Sequence, residues 1–486
     1  MTPFSSHPNV SKSPSIRHRH IFTSGITIRR PQIDPLDICL LLIGAVINTA
    51  SYLSIEPALI AVGVYALFYG TLSATAIGGV PEWRTFSRVY GVCFVMAGVA
   101  AVYANQLVGQ LPGDAAGFFN MATTDAKGLS IVEIERLSEG AIAIWAWRAV
   151  YEFFDYIGFE KLPYVGICFN ITVVSLSGVF GIKMARLIFG EDAYRFQQLT
   201  LLLASCGLIW LLSAVHLRDG LVFLMVTVTT YVWLWFVKKP SLERLILITA
   251  VSLTAASVLL YLRREFVFVP FGLMIAAIVS LGINAISRRG HHASSIILAT
   301  LGVIVTIGLV SNYGESLFLA LQKGTDSYAA VARETGAGGL GYSVIVSQSP
   351  LIKILLGSLY LFVFPIPVWT GLQLDSAYHL FKSLNAPFFY ALIPLLLIST
   401  GQLALSAKTR SKEGLFLLFV SVGFVFSVAA TSLETRHLTA FLMPIFLLAI
   451  LPDFRSTTIR KRYRAMFTIW LFFLVLIHMA WGWLKI

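Results

Sequence analysis

Residues 199–219 read LTLLLASCGLIWLLSAVHLRD. From Leu199 to Leu217 there is no Asp, Glu, Lys or Arg, and then Arg218 and Asp219 arrive together. A helix over that stretch rises about 28 Å, close to the roughly 30 Å of hydrocarbon in a bilayer. Such a helix is most stable with lipid or other helices along its whole length. It leaves His216, Arg218 and Asp219 at one membrane surface. The stretch therefore sets the fold class, and its last residues mark a place to look for chemistry.

The pattern repeats. Apolar runs at 36–55, 57–79, 89–108, 164–187, 199–217, 220–237, 245–262, 266–286, 296–313, 386–407, 415–433, 437–452 and 466–484 predict thirteen spanning helices. A further apolar stretch, 351–372, contains Phe364-Pro365-Ile366-Pro367. Two prolines at that spacing break a helix, so a re-entrant or interfacial segment is expected there. The expectation is an all-α, polytopic transmembrane bundle: a basic tail over 1–35, then a single membrane domain over 36–486. The tail carries Arg17, Arg19, Arg29 and Arg30 and no early apolar core, which reads as a cytoplasmic tail rather than a signal peptide.

Composition agrees. Of 486 residues, 57% are apolar and 12% charged, with a formal net charge of +12. Soluble domains carry about 25% charged residues. A disordered chain, a coiled coil and an ordinary soluble enzyme are excluded. The basicity has two possible sources, a nucleic-acid partner or topology, and placing the charges decides between them. With the N-terminus inside and thirteen alternating spans, the inner segments are 1–35, 80–88, 183–198, 238–244, 286–295, 408–414 and 453–465. They hold 23 of the 36 Lys and Arg residues. If 351–372 crossed fully, the basic segments 408–412 and 460–464 would face outward, against the positive-inside bias. The charge is thus a topology signal, and no nucleic-acid partner is expected. Cys39, Cys93, Cys168 and Cys206 all fall in apolar runs, without metal-ligand spacing, and read as small buried hydrophobes.

Two long loops, 109–163 and 314–385, fall on the outer side. The first holds a mixed aromatic and charged stretch, 142–154, that suits a helix lying at the interface and includes Trp145, Trp147 and Arg148. The second holds Arg333, the Gly-rich run 336–341, read as a hinge, and Trp369. The tryptophans read most simply as interface anchors.

Charges gather at four outer helix ends: Asp114 where the first loop opens, His216 with Arg218 and Asp219, Arg263 and Arg264 with Glu265, and Glu434 with Arg436 and His437. One reading is snorkelling, with basic side chains reaching head groups and nothing more. Against it, each basic cluster adjoins an acid, and all four sit at one depth. Clustered cations with bidentate reach suit a phosphate or diphosphate. A nearby carboxylate suits a general base. That combination fits transfer of a sugar from a lipid diphosphate, with arginines holding the leaving group. The arginines supply positive charge themselves, so neither metal nor cofactor is expected. There is no G-x-x-x-x-G-K-[ST], no strand–helix G-x-G-x-x-G, no H-E-x-x-H and no G-x-S-x-G.

These residues resemble bacterial membrane glycosyltransferases of the GT-C type and, more loosely, Wzy-type polysaccharide polymerases. Gly113-Asp114-Ala115 followed by Phe118-Phe119-Asn120-Met121-Ala122 is similar to the GT-C aspartate motif, which implies Asp114 as catalytic base. Leu212 to Gly220 looks like the Ser…Arg-Asp turn of polymerase-like members. Arg333-Glu334-Thr335-Gly336 through Pro365-Ile366-Pro367-Val368-Trp369, and Glu434-Thr435-Arg436-His437 ahead of Met443-Pro444, are similar to an Arg/Gly loop, a Pro-x-Pro-Trp segment and a late outer turn of relatives. The chain departs from GT-C by placing a hairpin, 36–79, before the aspartate loop. The second acid of that loop is open among Asp125, Glu133 and Glu135. The resemblance implies an inverting glycosyltransferase or repeat-unit polymerase in the bacterial cytoplasmic membrane, making surface polysaccharide from a polyprenyl-linked sugar or oligosaccharide beside other assembly proteins. Asp114 would be catalytic. Arg148, Arg218, Asp219, Arg263, Arg264, Glu265, Arg333, Glu434, Arg436 and His437 would bind the donor or glycan.

Two other classes compete. A flippase for a lipid-linked oligosaccharide calls for charges deep in its spans and internal symmetry. Almost no ionisable residue falls mid-span here, and no repeat is evident. The other is a non-catalytic scaffold of a polysaccharide assembly complex.

Overall fold

The computed structural model describes residues 33–74, 79–104, 113–125, 127–287, 345, 347–373, 376–406 and 410–484. The expected span 296–313, the Gly-rich run 336–341, Arg333 and most of the 1–35 tail lie outside them. Every regular element among the described residues is helical. Among the described residues nine helices are long and apolar enough to cross a membrane, or ten if one bent pair counts as a span.

The helices begin where capping chemistry starts them. Helix α1 (Pro35–Tyr52) has Pro35 in its first turn and Asp34 as N-cap, accepting from the Leu36 N–H at 2.9 Å. After α2 (Glu56–Ala74), α3 (Val80–Ala104) crosses back over α1. Their contact depends on glycine: a Cβ at Gly44, Gly91 or Gly98 would lie 2.4–2.9 Å from side chains of the facing helix. Apolar attraction between helices vanishes in lipid, so close backbone approach of this kind does much of the packing.

The first long loop folds into α4 (Gly113–Asn120), one π turn (Met121–Asp125), α5 (Ile131–Leu137) and α6 (Ala141–Tyr156). Helix α6 covers the stretch read in the sequence as an interfacial helix. Ala143, Ile144, Trp147 and Tyr151 are buried, while Trp145, Phe153 and Tyr156 are exposed. Trp147 is thus a core residue rather than an interface anchor, its Nε1 donating to Asn170 at 3.1 Å, whereas Trp145 is exposed.

Helix α7 (Pro163–Phe189) is the centre of the bundle, with 83% of its apolar stretch buried inside the protein. The stretch 199–217, expected as one span, is instead α8 (Ala193–Ser205) and α9 (Gly207–Ala214), bent by 60°. The break is chemically supported. Asn385 Oδ1 accepts from Leu208 N at 3.3 Å and from Cys206 Sγ at 3.2 Å, and Trp210 Nε1 donates to Ala204 O at 2.8 Å. Backbone groups freed by a break at membrane depth need such replacements. Helices α10 (Asp219–Lys238), α11 (Leu242–Leu262) and α12 (Val269–Ser287) follow as spans.

Helix α13 (Pro350–Val363) ends at the Pro365/Pro367 break and passes through a 3₁₀ turn, Val368–Gln373, before α14 (Ala377–Leu405). Fourteen residues of α13 rise about 21 Å, short of the bilayer core. Helices α15 (Lys412–Thr431), α16 (Thr435–Leu438), α17 (Leu442–Ala449) and α18 (Thr457–Leu484) complete the chain. The expected span 437–452 is short and interrupted by the 3₁₀ turn Thr439–Phe441. Helix α18 has 6% of its stretch buried and turns Ile469, Phe472, Phe473 and Met479 outward.

The helix ends sort into two sets. At one end Arg88 pairs with Asp34 and Asp37, Arg186 with Glu82, and Arg455 with Asp192. There Arg195 donates to the carbonyls of Ile450, Leu451 and Pro452, closing the C-terminus of α17. We refer to this as the basic end. The opposite end holds the four charged turns.

Candidate functional site

Four turns separated by up to 322 positions meet. Asp219, the first residue of α10, is 5% exposed and accepts from Arg263 at the end of α11. Its other oxygen lies 3.8 Å from Arg436 Nε on α16. Arg436 Nη1 reaches Asp114 Oδ2 on α4 at 3.4 Å. Arg263 Nη2 meets His437 Nε2, and His437 Nδ1 lies 2.6 Å from Ser432 Oγ. A guanidinium only donates, so His437 Nε2 is the acceptor and its proton sits on Nδ1, donated to Ser432.

Two residues with no sequence expectation complete the centre. Lys382 and Tyr378, both on α14, converge on Glu434: Lys382 Nζ donates to its Oε1 at 2.8 Å, and the Tyr378 hydroxyl donates to the same oxygen. The Lys382 ammonium also lies 4.5 Å from the Tyr378 ring centroid and 5.2 Å from that of Phe364. Burial alone would push the Glu434 carboxyl up. The charge and hydrogen bond of Lys382, with the Tyr378 hydroxyl, outweigh it and hold the carboxyl well below the usual range. Burial likewise opposes the charge on Arg436, but Asp219, Tyr378, Glu434 and Asp114 hold its pKa above the ordinary value.

A second rank lies beside this centre. Arg218 Nη2 pairs with Glu139 at 3.2 Å, and its guanidinium stands 5.4 Å from the Phe118 ring centroid. Its Nη1 is buried without a hydrogen-bond partner. Arg264 pairs with Glu135 at 3.1 Å. Glu135 also accepts from the N–H groups of Gly140 and Ala141, both at 3.2 Å, and so closes the N-terminus of α6. Of the three candidate second acids, Glu135 is bound into this helix cap. Glu133 forms the capping box of α5 with Ser130, and Asp125 accepts from Thr124 at 3.0 Å.

His216, placed by sequence among the charged residues, belongs to an aromatic cage instead. It is fully buried, 4.1 Å from the Trp147 ring centroid, with Phe119 and Tyr151 around it. Asn170 donates to the Val215 and Leu217 carbonyls, fixing the turn that presents Arg218 and Asp219.

Of the sequence candidates, Asp114, Asp219, Arg263, Glu434, Arg436 and His437 therefore gather into one network, with Glu265 at its edge, 3.8 Å from Arg263. Arg218 and Arg264 flank it. Arg148 does not join: it donates to Leu129 O at 3.1 Å and pairs with Glu152 at 3.7 Å. Trp369 is half-exposed beside His478 of α18. Lys382 and Tyr378 had one signal in the sequence, a Tyr and a Lys at helical spacing just ahead of an apolar run. Among the described residues no cluster of His, Cys, Asp or Glu is placed to hold a metal ion.

Chemically, the network puts an exposed carboxylate, Asp114, beside a partly exposed guanidinium, Arg436. Arg263, Asp219, His437 and Glu434 are packed behind that pair as its support. Searches against known protein families and against curated proteins give no match for this chain.

Proposed function

We propose that this membrane protein is a glycosyltransferase or repeat-unit polymerase that takes its sugar from a polyprenyl-diphosphate donor at the outer face of a bacterial cytoplasmic membrane. The observation that carries the reading is the convergence of Asp114, Asp219, Arg263 and Arg436 from four separate turns. Snorkelling explains single helix-end arginines, but it gives no reason for them to share one buried aspartate.

In this reading the acceptor sugar hydroxyl attacks the anomeric carbon of the donor. The new C–O bond forms as the bond from that carbon to the diphosphate oxygen breaks, and the diphosphate leaves with the electron pair. Asp114 takes the hydroxyl proton. Arg436, Arg218 and Arg264 meet the charge that builds on the leaving group, since all three keep exposed or unpaired N–H groups. Arg263 is 4% exposed and stands behind Asp219, so its role is positioning. Glu434, held ionised by Lys382 and Tyr378, fixes the turn that carries Arg436.

The test is Asp114→Asn in the native host, with surface-glycan length read on a gel and protein level checked by immunoblot. Loss of a general base costs about 10²–10⁴-fold in rate, which should shorten or abolish the glycan. Normal chain length at normal protein level overturns the proposal.

A further inference from the structure

Arg436 stands between two carboxylates of different character. Asp219 is buried, with 6% of its side chain exposed, and is also held by Arg263. Asp114 has 65% of its side chain exposed and meets Arg436 through one contact of 3.4 Å. Arg436 turns its Nε inward, 3.8 Å from Asp219, and keeps 21% of its side chain exposed. A diphosphate offers more charge and more oxygens than one carboxylate, and bidentate Arg–phosphate pairing is stronger than a single long contact. Of the two carboxylates, Asp114 is the one that yields.

We infer that Arg436 exchanges partners during the reaction, pairing with Asp114 until the donor binds and with the donor diphosphate afterwards. The inference rests on the reading of the site proposed above. A carboxylate whose lone pairs are engaged by a guanidinium is a poor proton acceptor. The exchange therefore frees the Asp114 carboxylate for the acceptor hydroxyl only when a donor is in place. The exchange orders the steps: the donor binds before the acceptor hydroxyl meets a free base. The support behind Arg436 suits this role. Asp219, pinned by Arg263, and the turn fixed by Glu434, Lys382 and Tyr378 keep the guanidinium in place while its outer partner changes.

The test is a double-mutant cycle on the full chain in nanodiscs, with farnesyl diphosphate as probe and inorganic pyrophosphate as a second arm. Asp114→Asn removes the internal competitor and should tighten farnesyl diphosphate about two- to fivefold, the scale of an exposed ion pair. In an Arg436→Gln background the same change should do nothing, since the competition is for Arg436. Where Arg436→Gln does not fold, Arg436→Met, which also removes the charge at similar length, serves instead. Equal tightening in both backgrounds means simple repulsion between Asp114 and the probe, and overturns the exchange while leaving the binding site standing. No tightening in either background overturns it in the same way. Absence of probe binding by the parent chain overturns the site reading, and the exchange with it. Equal affinity for pyrophosphate assigns recognition to the diphosphate alone, and weaker pyrophosphate binding adds a contribution from the lipid. Under both of those results the exchange stands or falls on the cycle.

Discussion

At the scale of single residues, the buried charges behave as a set in which each member depends on its partners. Asp219→Asn would leave Arg263 buried without its carboxylate. Breaking a buried pair from one side costs about 3–5 kcal/mol. The expected outcome is a large fall in the thermal unfolding midpoint in detergent, whereas Glu265→Gln, at an exposed edge position, should change it little. A comparable fall in both variants would remove the distinction drawn between centre and edge. Glu434 gives a pH test. Against the cost of burial, Lys382 and the Tyr378 hydroxyl hold its carboxyl well below the ordinary carboxylate range. A depressed pKa adds stability that is present above the unfolded value and is lost as pH falls through the folded one. The stability gap between the parent chain and Glu434→Gln should therefore be constant from pH 8 down to about 5.5 and shrink only in stronger acid. A gap that closes between pH 8 and 6 would show that Glu434 is not held by Lys382 and Tyr378 as described.

The residues of the site were legible because charges are scarce in an apolar chain. Asp114, Asp219, Arg263 and Arg436 stand out against long runs without a charge, and the apolar runs place them all at helix ends. Their pairing was not legible. Which arginine is buried and which faces outward depends on how helices pack, and apolar runs carry little information about neighbours. Lys382 shows the same limit: it precedes a span, as several surface lysines do, and only the packing of α14 against the 432–437 turn gives it Glu434.

At the scale of elements, the α8–α9 break is the clearest departure from the apolar pattern. Hydropathy averages over a run and is blind to a 60° bend inside it. The Cys206-Gly207 pair is the only local sign, and the decisive partner, Asn385, lies 177 residues away from the Leu208 it binds. The break depends on a close approach. A Cβ on Gly207 would lie 2.5 Å from the backbone oxygen of Phe381 and 2.9 Å from Asn385 Cβ. Backbone cannot swing aside as a side-chain tip can, so Gly207→Ala should push α9 off α14. Overpacking of this kind costs about 1–3 kcal/mol. The control is Gly63→Ala, where nothing lies within 4 Å of the added carbon, and there stability should hold or rise slightly. Equal thermal midpoints for both variants would mean that the α9–α14 contact is looser than described. The Pro365/Pro367 break, by contrast, was legible, because proline acts locally and its effect on a helix does not wait for a partner.

At the scale of the whole molecule, the ordering of helix ends makes a claim about sidedness. Helix α12 starts beside Arg264 at the site end and finishes at the basic end with Ser287. Helix α14 starts at the site end, where Tyr378 and Lys382 reach Glu434. The positive-inside bias then orients the bundle. Arg460, Lys461, Arg462 and Arg464 begin α18 next to the Asp453–Arg455 turn of the basic end, so by that bias the basic end is expected in the cytoplasm and the site outside. Both claims are checked in intact cells with a membrane-impermeant maleimide. Of the native cysteines, Cys39 is exposed and the other three are buried, so a Cys39→Ser parent gives a low background. Cysteines replacing the exposed Ser349 and Glu160 should label from outside, and one replacing Ser241 should label only after permeabilisation. Labelling of Ser349→Cys and Ser241→Cys from the same side would contradict the sorting of helix ends into two sets. Outside labelling of Ser241→Cys alone would invert the bundle, put the arginine network in the cytoplasm, and end the case for a donor presented in the outer leaflet.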